Sequence, residues 1–131
     1  MSIDLRSQVF TTIRNAIKER KENLDVRKSK LILEIVKILK KEGYINDFRE
    51  IDDKKQGIIR IYLKYGPDKK CVLNNIQQVS KPGRRVYVRK DDNMKVLGGF
   101  GMAIISTSRG IITDREAKKL KLGGEYICKV W

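Results

Sequence analysis

The chain has 131 residues, 40 % of them apolar, so it can fold into one domain or two small ones but not into a large multidomain enzyme. Its 30 lysines and arginines outnumber its 16 aspartates and glutamates, and the formal net charge of +14 favours a polyanionic partner. It contains no histidine, which excludes Ser-His-Asp, Cys-His and HExxH catalytic sites.

Hydrophobic spacing predicts an amphipathic helix near the start of the chain. Its apolar stripe consists of Leu5, Val9, Ile13, Ala16 and Ile17. Ser2 is the expected N-cap, and Asp4 lies in the first turn, where the helix dipole favours a negative charge. The alternating polarity of Leu24-Asp25-Val26-Arg27 then predicts a short strand.

A second helix is expected to begin near Ser29 and to end at Gly43, because Ser favours the N-cap and Gly the position after the last turn. Residues 44–51 and 58–65 predict two strands, joined by a turn over residues 52–57. A helix, a strand, a second helix and a hairpin indicate an N-terminal α/β sandwich, with two helices on a three-stranded sheet.

Polar residues between Asn74 and Gly83 predict a domain boundary, which we place near residue 78. The predicted domains are therefore an N-terminal α/β domain over residues 1–78 and a C-terminal, mainly β domain over residues 79–131.

Beyond this boundary the pattern predicts strands and one short helix. The predicted strands cover residues 84–90, 102–105, 111–112 and 125–131. Thr113 and Glu116 form a capping box that opens a helix running to about Leu122, which Gly123-Gly124 would stop. The whole chain is predicted to be an α+β protein of two small domains.

Two cysteines, Cys71 and Cys128, occur without CxxC spacing, which indicates a reducing compartment and argues against a zinc ribbon or a disulfide framework. Two lysines precede Cys71 and would lower its pKa, but without a histidine base a bystander thiol is favoured over a nucleophile. The aspartate pairs at 52–53 and 91–92 are interpreted as turn formers. No metal site, cofactor or membrane span is predicted.

Three adjacent hydroxyl residues, Ser106, Thr107 and Ser108, precede Arg109 and Gly110 in a predicted turn after an apolar strand. Hydroxyls and exposed amides suit phosphates, ribose 2′-OH groups and base edges. An ordinary hairpin, whose hydroxyls only bond the turn backbone, fits the same spacing equally well.

Tyr87 is predicted to share a strand face with Arg85 and Arg89, where its ring could stack on a base or a ribose. An aromatic cross-strand pair within the sheet is the alternative. Gly98 and Gly101 have the GxxG spacing of a KH loop, but the strand predicted to follow favours a simple turn before that strand. A membrane is a weaker polyanionic partner than RNA, because neither helix pairs a lysine-rich face with aromatic anchors.

Short motifs along the chain occur in a distinctive order. They are Ile13-Arg14-Asn15-Ala16, Ser29-Lys30-Leu31, Glu42-Gly43-Tyr44-Ile45, Ser80-Lys81-Pro82-Gly83-Arg84-Arg85-Val86-Tyr87, Lys95-Val96-Leu97-Gly98-Gly99-Phe100-Gly101, Ile104-Ile105-Ser106-Thr107-Ser108-Arg109-Gly110, Thr113-Asp114-Arg115-Glu116-Ala117, Gly123-Gly124-Glu125 and Val130-Trp131. In order and spacing they resemble the small-subunit ribosomal protein eight family in its bacterial or organellar form. The resemblance spans nearly the whole chain.

The resemblance implies a structural, non-enzymatic component of the small ribosomal subunit, a primary rRNA-binding protein that docks on the central domain of the rRNA and helps assemble the platform. The RNA-contacting residues predicted from the resemblance and the basic charges are Ser106, Thr107, Ser108, Arg109, Tyr87, Gly123, Gly124, Glu125, Lys81, Arg84, Arg85, Arg14, Asn15, Ser29 and Lys30. The implied partners are this rRNA, neighbouring ribosomal proteins and, as in some relatives, the protein's own operon mRNA. The resemblance also implies that the protein is a monomer when free and that it binds neither a membrane nor a cofactor. Its implied location is the ribosome, in the bacterial cytoplasm or in an organelle stroma or matrix.

The chain departs from the family pattern at two places. Asp4-Leu5-Arg6-Ser7-Gln8 replaces an Asp-Pro-Ile-Ala-Asp-like stretch, so no RNA contact is assigned to the start of the first helix. Arg84-Arg85 stands where relatives often have an apolar residue before a single arginine, a change that keeps a phosphate-binding charge. A general RNA chaperone or a KH-like single-strand binder is the alternative function, and an RNA-modifying enzyme using Cys71 is the least favoured.

Overall fold

The computed structural model describes residues 5–92 and 96–131, which divide into two compact units, Leu5–Asn75 and Ile76–Trp131. The predicted N-cap Ser2, the first-turn residue Asp4 and the motif residue Lys95 lie outside the described residues. The boundary precedes the short strand at 76–78, whereas the sequence-based cut follows it. These three residues pair with the C-terminal strand and so belong to the second unit.

The first unit contains, among its described residues, two helices and a three-stranded antiparallel sheet. The elements are α1 (Leu5–Lys18), β1 (Asn23–Arg27), α2 (Lys30–Lys41), β2 (Ile45–Ile51) and β3 (Ile58–Leu63). The strand order is β1-β3-β2, so the last strand is central. This is the predicted α/β sandwich, with the helices of the expected number and order.

Local signals explain where the elements of the first unit begin and end. The Ser29 hydroxyl accepts a hydrogen bond from the Ile32 amide at 3.2 Å and caps α2. Gly43 follows the helix with a φ of 81°, a conformation that glycine adopts at low cost. Ile59, Ile61 and Leu63 alternate with less buried residues along β3, as the period of a half-buried strand requires.

The second unit is built around its C-terminal strand. Its elements are β4 (Ile76–Gln78), β5 (Tyr87–Val88), a 3-10 turn (Leu97–Gly99), β6 (Met102–Thr107), β7 (Gly110–Thr113), α3 (Asp114–Leu120) and β8 (Gly124–Val130). One edge of β8 pairs with β4 and β5, the other edge with β6, and β7 completes the sheet beyond β6. All of these pairings are antiparallel, and α3 contacts β6 and β7.

Three sequence predictions for the second unit need correction. The strand predicted over 84–90 is only two residues long, because pairing to β8 is confined to Tyr87 and Val88. The strand predicted to end at 105 continues to Thr107. The helix ends at Leu120 rather than 122, since Lys121 adopts a left-handed conformation with a φ of 56°.

The polar stretch from 74 to 83, where the domain boundary is predicted, contains the division between the two units and a strand of the second unit. Ile76 and Ser80 within it are fully buried, and the segment pairs with β8. Gln78 and Ser80 are its buried polar residues, whereas Asn74, Gln77 and Lys81 are exposed. No helix in the described parts of the chain is long and apolar enough to cross a membrane.

Candidate nucleic-acid interface

The three predicted hydroxyl residues lie at the end of the β6–β7 hairpin. The turn itself contains only Ser108 and Arg109, since Thr107 and Gly110 already form a strand pair. Gly110 has a φ of 101°, which a β-carbon would disfavour. Both residues of the turn are exposed, so the hairpin presents a hydroxyl and a guanidinium at its tip.

The three hydroxyls have different roles within the hairpin. The Thr107 hydroxyl donates to the Gly110 carbonyl at 2.9 Å and accepts from the Arg109 amide at 3.1 Å, so it holds the turn. Ser106 is half-buried in the strand, and Ser108 is exposed. Among the described residues, the structure gives neither serine hydroxyl a hydrogen-bond partner. The bonding capacity of Ser106 and Ser108 is therefore available to a ligand.

A cross-strand row joins the hairpin to the predicted aromatic contact. Glu125 on β8 pairs with Tyr87 on β5 at one side and with Ser106 on β6 at the other. Directly paired residues of an antiparallel sheet point to the same face, with β-carbons ~4.5–5.5 Å apart. The tyrosine, the carboxylate and the serine thus form one row across three strands.

Tyr87 is 68 % exposed, which makes it one of the most exposed large hydrophobic residues in the described part of the chain. Arg85 and Arg89 are exposed on either side of it, while Val86 and Val88 are half-buried. This alternation of burial is what a shared face of Arg85, Tyr87 and Arg89 requires, although regular strand pairing is confined to Tyr87 and Val88. An exposed ring between two cations can receive a base or a ribose.

Glycines at the start of β8 permit close contact between the strands. A β-carbon on Gly123 would lie 3.1 Å from the Arg89 α-carbon and against the Val88 carbonyl oxygen. A β-carbon on Gly124 would lie 2.9 Å from the Ser106 carbonyl carbon, with the carbonyl oxygen closer still. Neither glycine has a positive φ, so space rather than conformation excludes a side chain here.

The Glu125 carboxylate is held by groups of the protein itself. Its Oε2 accepts a hydrogen bond from the Ser80 hydroxyl at 2.6 Å and from the Arg85 guanidinium at 3.1 Å. Only 19 % of the glutamate side chain is exposed. The arginine compensates a negative charge that would otherwise repel a phosphate next to Tyr87.

The other predicted contacts of this unit form a tight turn before β5. The Lys81 amide donates to the Arg84 carbonyl at 3.1 Å, and the Arg84 amide donates back at 2.9 Å. Both side chains are exposed around Pro82-Gly83. The turn therefore presents the charged ends of the Lys81 and Arg84 side chains to solvent just before Tyr87.

The predicted contacts of the first unit lie on its two helices. Arg14 and Asn15 are on α1, where the Arg14 guanidinium donates to the Thr11 hydroxyl at 3.1 Å. Ser29 caps α2 and Lys30 is its first residue, both exposed. The hydroxyl of Ser29 has a structural role as a cap, which leaves Lys30 as the charged group at this position.

The residues on which a KH-like binder or a cysteine-based enzyme would depend do not have the structural setting that those functions need. Gly98 to Gly101 join a 3-10 turn to β6, whereas a KH loop joins two helices. Burial raises the pKa of the Cys71 thiol, and raises that of the fully buried Cys128 far more, which makes both poor nucleophiles. The described residues contain no group of side chains that could hold a metal ion.

Sequence reasoning missed Ser80, which is fully buried and bonded to Glu125 and to the Val86 amide. The segment around it reads as polar and suggests a loop. The Ser80 partner lies 45 residues further along the chain, so no local pattern could have revealed the contact.

Comparison with known proteins gives matches along nearly the whole chain. A family model described as ribosomal protein S8 matches residues 4–131. The small ribosomal subunit protein uS8 of Thermodesulfovibrio yellowstonii is 50 % identical over 131 residues, which cover 100 % of both chains. The protein of the same name from Syntrophomonas wolfei is 54 % identical over 122 residues, 93 % of this chain and 92 % of its own length. That of Caldicellulosiruptor bescii is 52 % identical over 98 % of each chain.

Proposed function

Because the chain belongs to the ribosomal protein S8 family, we propose that it docks on the central domain of the small-subunit rRNA and helps assemble the platform of that subunit. It is a structural component of the small ribosomal subunit, associated with rRNA and other ribosomal proteins, and it is not an enzyme. The finer assignment, to the central domain and to particular residues, is the proposal.

One observation carries the assignment of residues: the row of Tyr87, Glu125 and Ser106 ends beside a hairpin tip that presents the hydroxyl of Ser108 and the charge of Arg109. A-form RNA conceals its major groove and displays 2′-OH groups and base edges in a shallow minor groove. Hydroxyls with unused bonding capacity and an exposed ring suit such a surface, particularly where a bulge unstacks a base.

Affinity and specificity would then come from different groups. The exposed cations at Lys81, Arg84 and Lys30 would neutralise phosphates and release counterions, a contribution that depends on salt and little on sequence. Ser106 and Ser108 would bond to the edges of one irregular RNA structure, which depends on sequence and little on salt. The excess of 14 positive charges supports the first contribution, and the hairpin supports the second.

The test is a binding titration of the whole protein against a central-domain rRNA helix and a scrambled duplex of equal length, at two salt concentrations. The wild type should prefer the native helix at both salt concentrations. Ser106→Ala with Ser108→Ala should reduce that preference about thirtyfold and leave the salt dependence unchanged, since each of the two lost hydrogen bonds contributes ~1 kcal/mol. Thr12→Ala is the matched control, because it removes an exposed hydroxyl that bonds only the Gln8 carbonyl of α1.

Equal binding of the two RNAs by the wild type, lost together as salt rises, would contradict the proposal and support a general RNA chaperone. The proposal includes one further partner of the same surface. The protein's own operon mRNA, if it folds into a similar helix, should compete with the rRNA helix and should lose affinity in the same double variant. We also propose that the protein is a monomer when free and that it works in ribosomes of the bacterial cytoplasm. The bacterial origin of the three relatives above supports the location.

A further inference from the structure

A fully buried hydroxyl ties three parts of the second unit together. The Ser80 Oγ donates to Glu125 Oε2 at 2.6 Å and accepts from the Val86 amide at 3.2 Å. A distance of 2.6 Å is typical of a hydroxyl bonded to an ionised carboxylate, the stronger class of hydrogen bond. Ser80 itself has no exposed surface and therefore touches no ligand.

The segment that Ser80 holds has few other attachments. β5 contains two residues, and its pairing with β8 is confined to Tyr87 with Glu125 and Val88 with Gly124. The Tyr126 amide adds a bond to the Val86 carbonyl at 2.9 Å, and the Arg85 guanidinium adds a bond to the Glu125 carboxylate at 3.1 Å. So short a strand needs side-chain bonds to keep its register, because loss of a single ladder bond removes much of its pairing.

Glu125 is the residue through which this attachment reaches the candidate interface. It pairs with Tyr87 on one side and with Ser106 on the other, and its carboxylate is bonded by Ser80 from within the unit. The position of the ring relative to the hairpin hydroxyls therefore depends in part on this glutamate and on the groups that bond it, among them Ser80 and Arg85.

We propose that Ser80 is a positioning residue for RNA recognition, which fixes the spacing between Tyr87 and the hydroxyl hairpin by bonding the Glu125 carboxylate and the Val86 amide. The proposal rests on the proposed function. It assigns Ser80 no contact with RNA, and it gives Glu125 the role of a rigid internal support rather than that of a group that meets phosphate.

The test combines Ser80→Ala with Tyr87→Ala in a double-mutant cycle, measured as affinity for the central-domain helix. Ser80→Ala alone should weaken binding about tenfold, because it leaves a partly buried carboxylate and an amide with one bond fewer. In the Tyr87→Ala background the same substitution should weaken binding less than twofold, since the ring that it positions is absent. The salt dependence should stay unchanged in every variant, because no cation is removed. Thr12→Ala, which deletes a hydroxyl of the other unit, should leave binding unchanged.

Equal losses in the two backgrounds would overturn the proposal, because Ser80 would then act on the fold as a whole. No loss in the wild-type background would also overturn it. Amide hydrogen exchange of the free protein provides a readout that does not depend on RNA. In Ser80→Ala, exchange at Val86 and Tyr126 should accelerate at least tenfold while the β6–β7 amides keep their protection. Uniform acceleration throughout the unit would contradict a local positioning role.

The two hypotheses fail in distinguishable ways. If the wild type does not discriminate between the native helix and the scrambled duplex, the proposed function fails while the exchange result still decides whether Ser80 holds the segment. If discrimination is present and the double-mutant cycle shows no coupling, only the positioning role of Ser80 fails.

Discussion

Replacement of Gly124 by alanine should separate two strands at the candidate interface. The added β-carbon would lie 2.9 Å from the Ser106 carbonyl carbon, about 0.6 to 1.1 Å inside the ~3.5–4.0 Å optimum for two carbon atoms. The obstructing atoms are backbone, so relief requires β8 to move away from β6. A movement of ~1 Å would lengthen the adjacent ladder hydrogen bonds from ~2.9 Å to beyond their useful range.

The expected cost to the second unit is about 3 kcal/mol of unfolding free energy, the upper end of the usual range for overpacking. Gly43→Ala is the matched control, because Gly43 has a φ of 81° and open space around its missing side chain. That substitution should cost about 1 kcal/mol through backbone strain alone, and it should affect the first unit.

Urea denaturation, with hydrogen exchange to assign the loss to one unit, measures both effects. The same Gly124→Ala protein, kept below its unfolding transition, should bind the central-domain helix more weakly, since Ser106 and Tyr87 would no longer keep their spacing. If Gly124→Ala costs no more than Gly43→Ala, or if the loss falls in the first unit, the steric reasoning about this glycine is wrong.

Further expectations concern charge, acid stability and the thiols. Lys30→Gln should weaken binding to native and scrambled RNA equally and lower the salt slope by about 1, as titrations at several salt concentrations will show. A hydrogen bond from the Arg60 guanidinium lowers the pKa of Asp25, so the pair stabilises the folded state above the ordinary pKa of the carboxyl. That stability is lost as the pH falls below about 4. Asp25→Asn should therefore reduce the acid-induced loss of unfolding free energy by less than ~1 kcal/mol, because the pair is largely exposed, and melting temperatures recorded across this pH range will show it. Iodoacetamide should label Cys71 slowly and Cys128 only after unfolding, and Cys71→Ser should bind RNA as the wild type does, with mass spectrometry and titration as the readouts. An RNA-modifying activity lost in Cys71→Ser would contradict this last expectation.

Features that depend on neighbouring residues were predictable from the sequence. The Ser29 cap, the Thr113 cap and the reversal at Gly43 all occur where their local signals indicate. The alternation along β3 also predicted which side chains lie inside, because burial of one face determines the side-chain period.

Features that depend on distant partners were not predictable in the same way. The strand over 84–90 looked seven residues long, but β8 pairs with only Tyr87 and Val88 of it. Phe10 lies beside the predicted stripe of α1 and is nevertheless fully buried. Gly123 and Gly124 were expected to stop α3, but the helix ends earlier, at the left-handed residue Lys121. The two glycines instead allow close contact between strands.

The three adjacent hydroxyls show why a site cannot be assigned from its motif alone. In the sequence, the ligand-binding interpretation and the ordinary-hairpin interpretation were equally good for all three residues. The structure divides them: Thr107 has the bonds of an ordinary hairpin, and Ser106 and Ser108 keep hydroxyls that the turn does not use. The ordinary-hairpin interpretation therefore applies to Thr107, and ligand binding stays a prediction for Ser106 and Ser108. If the two serines bind RNA as proposed, the hydroxyl that fixes the two-residue turn reduces the entropy they must lose on binding, so the rigidity of Thr107 would contribute to recognition without any contact of its own.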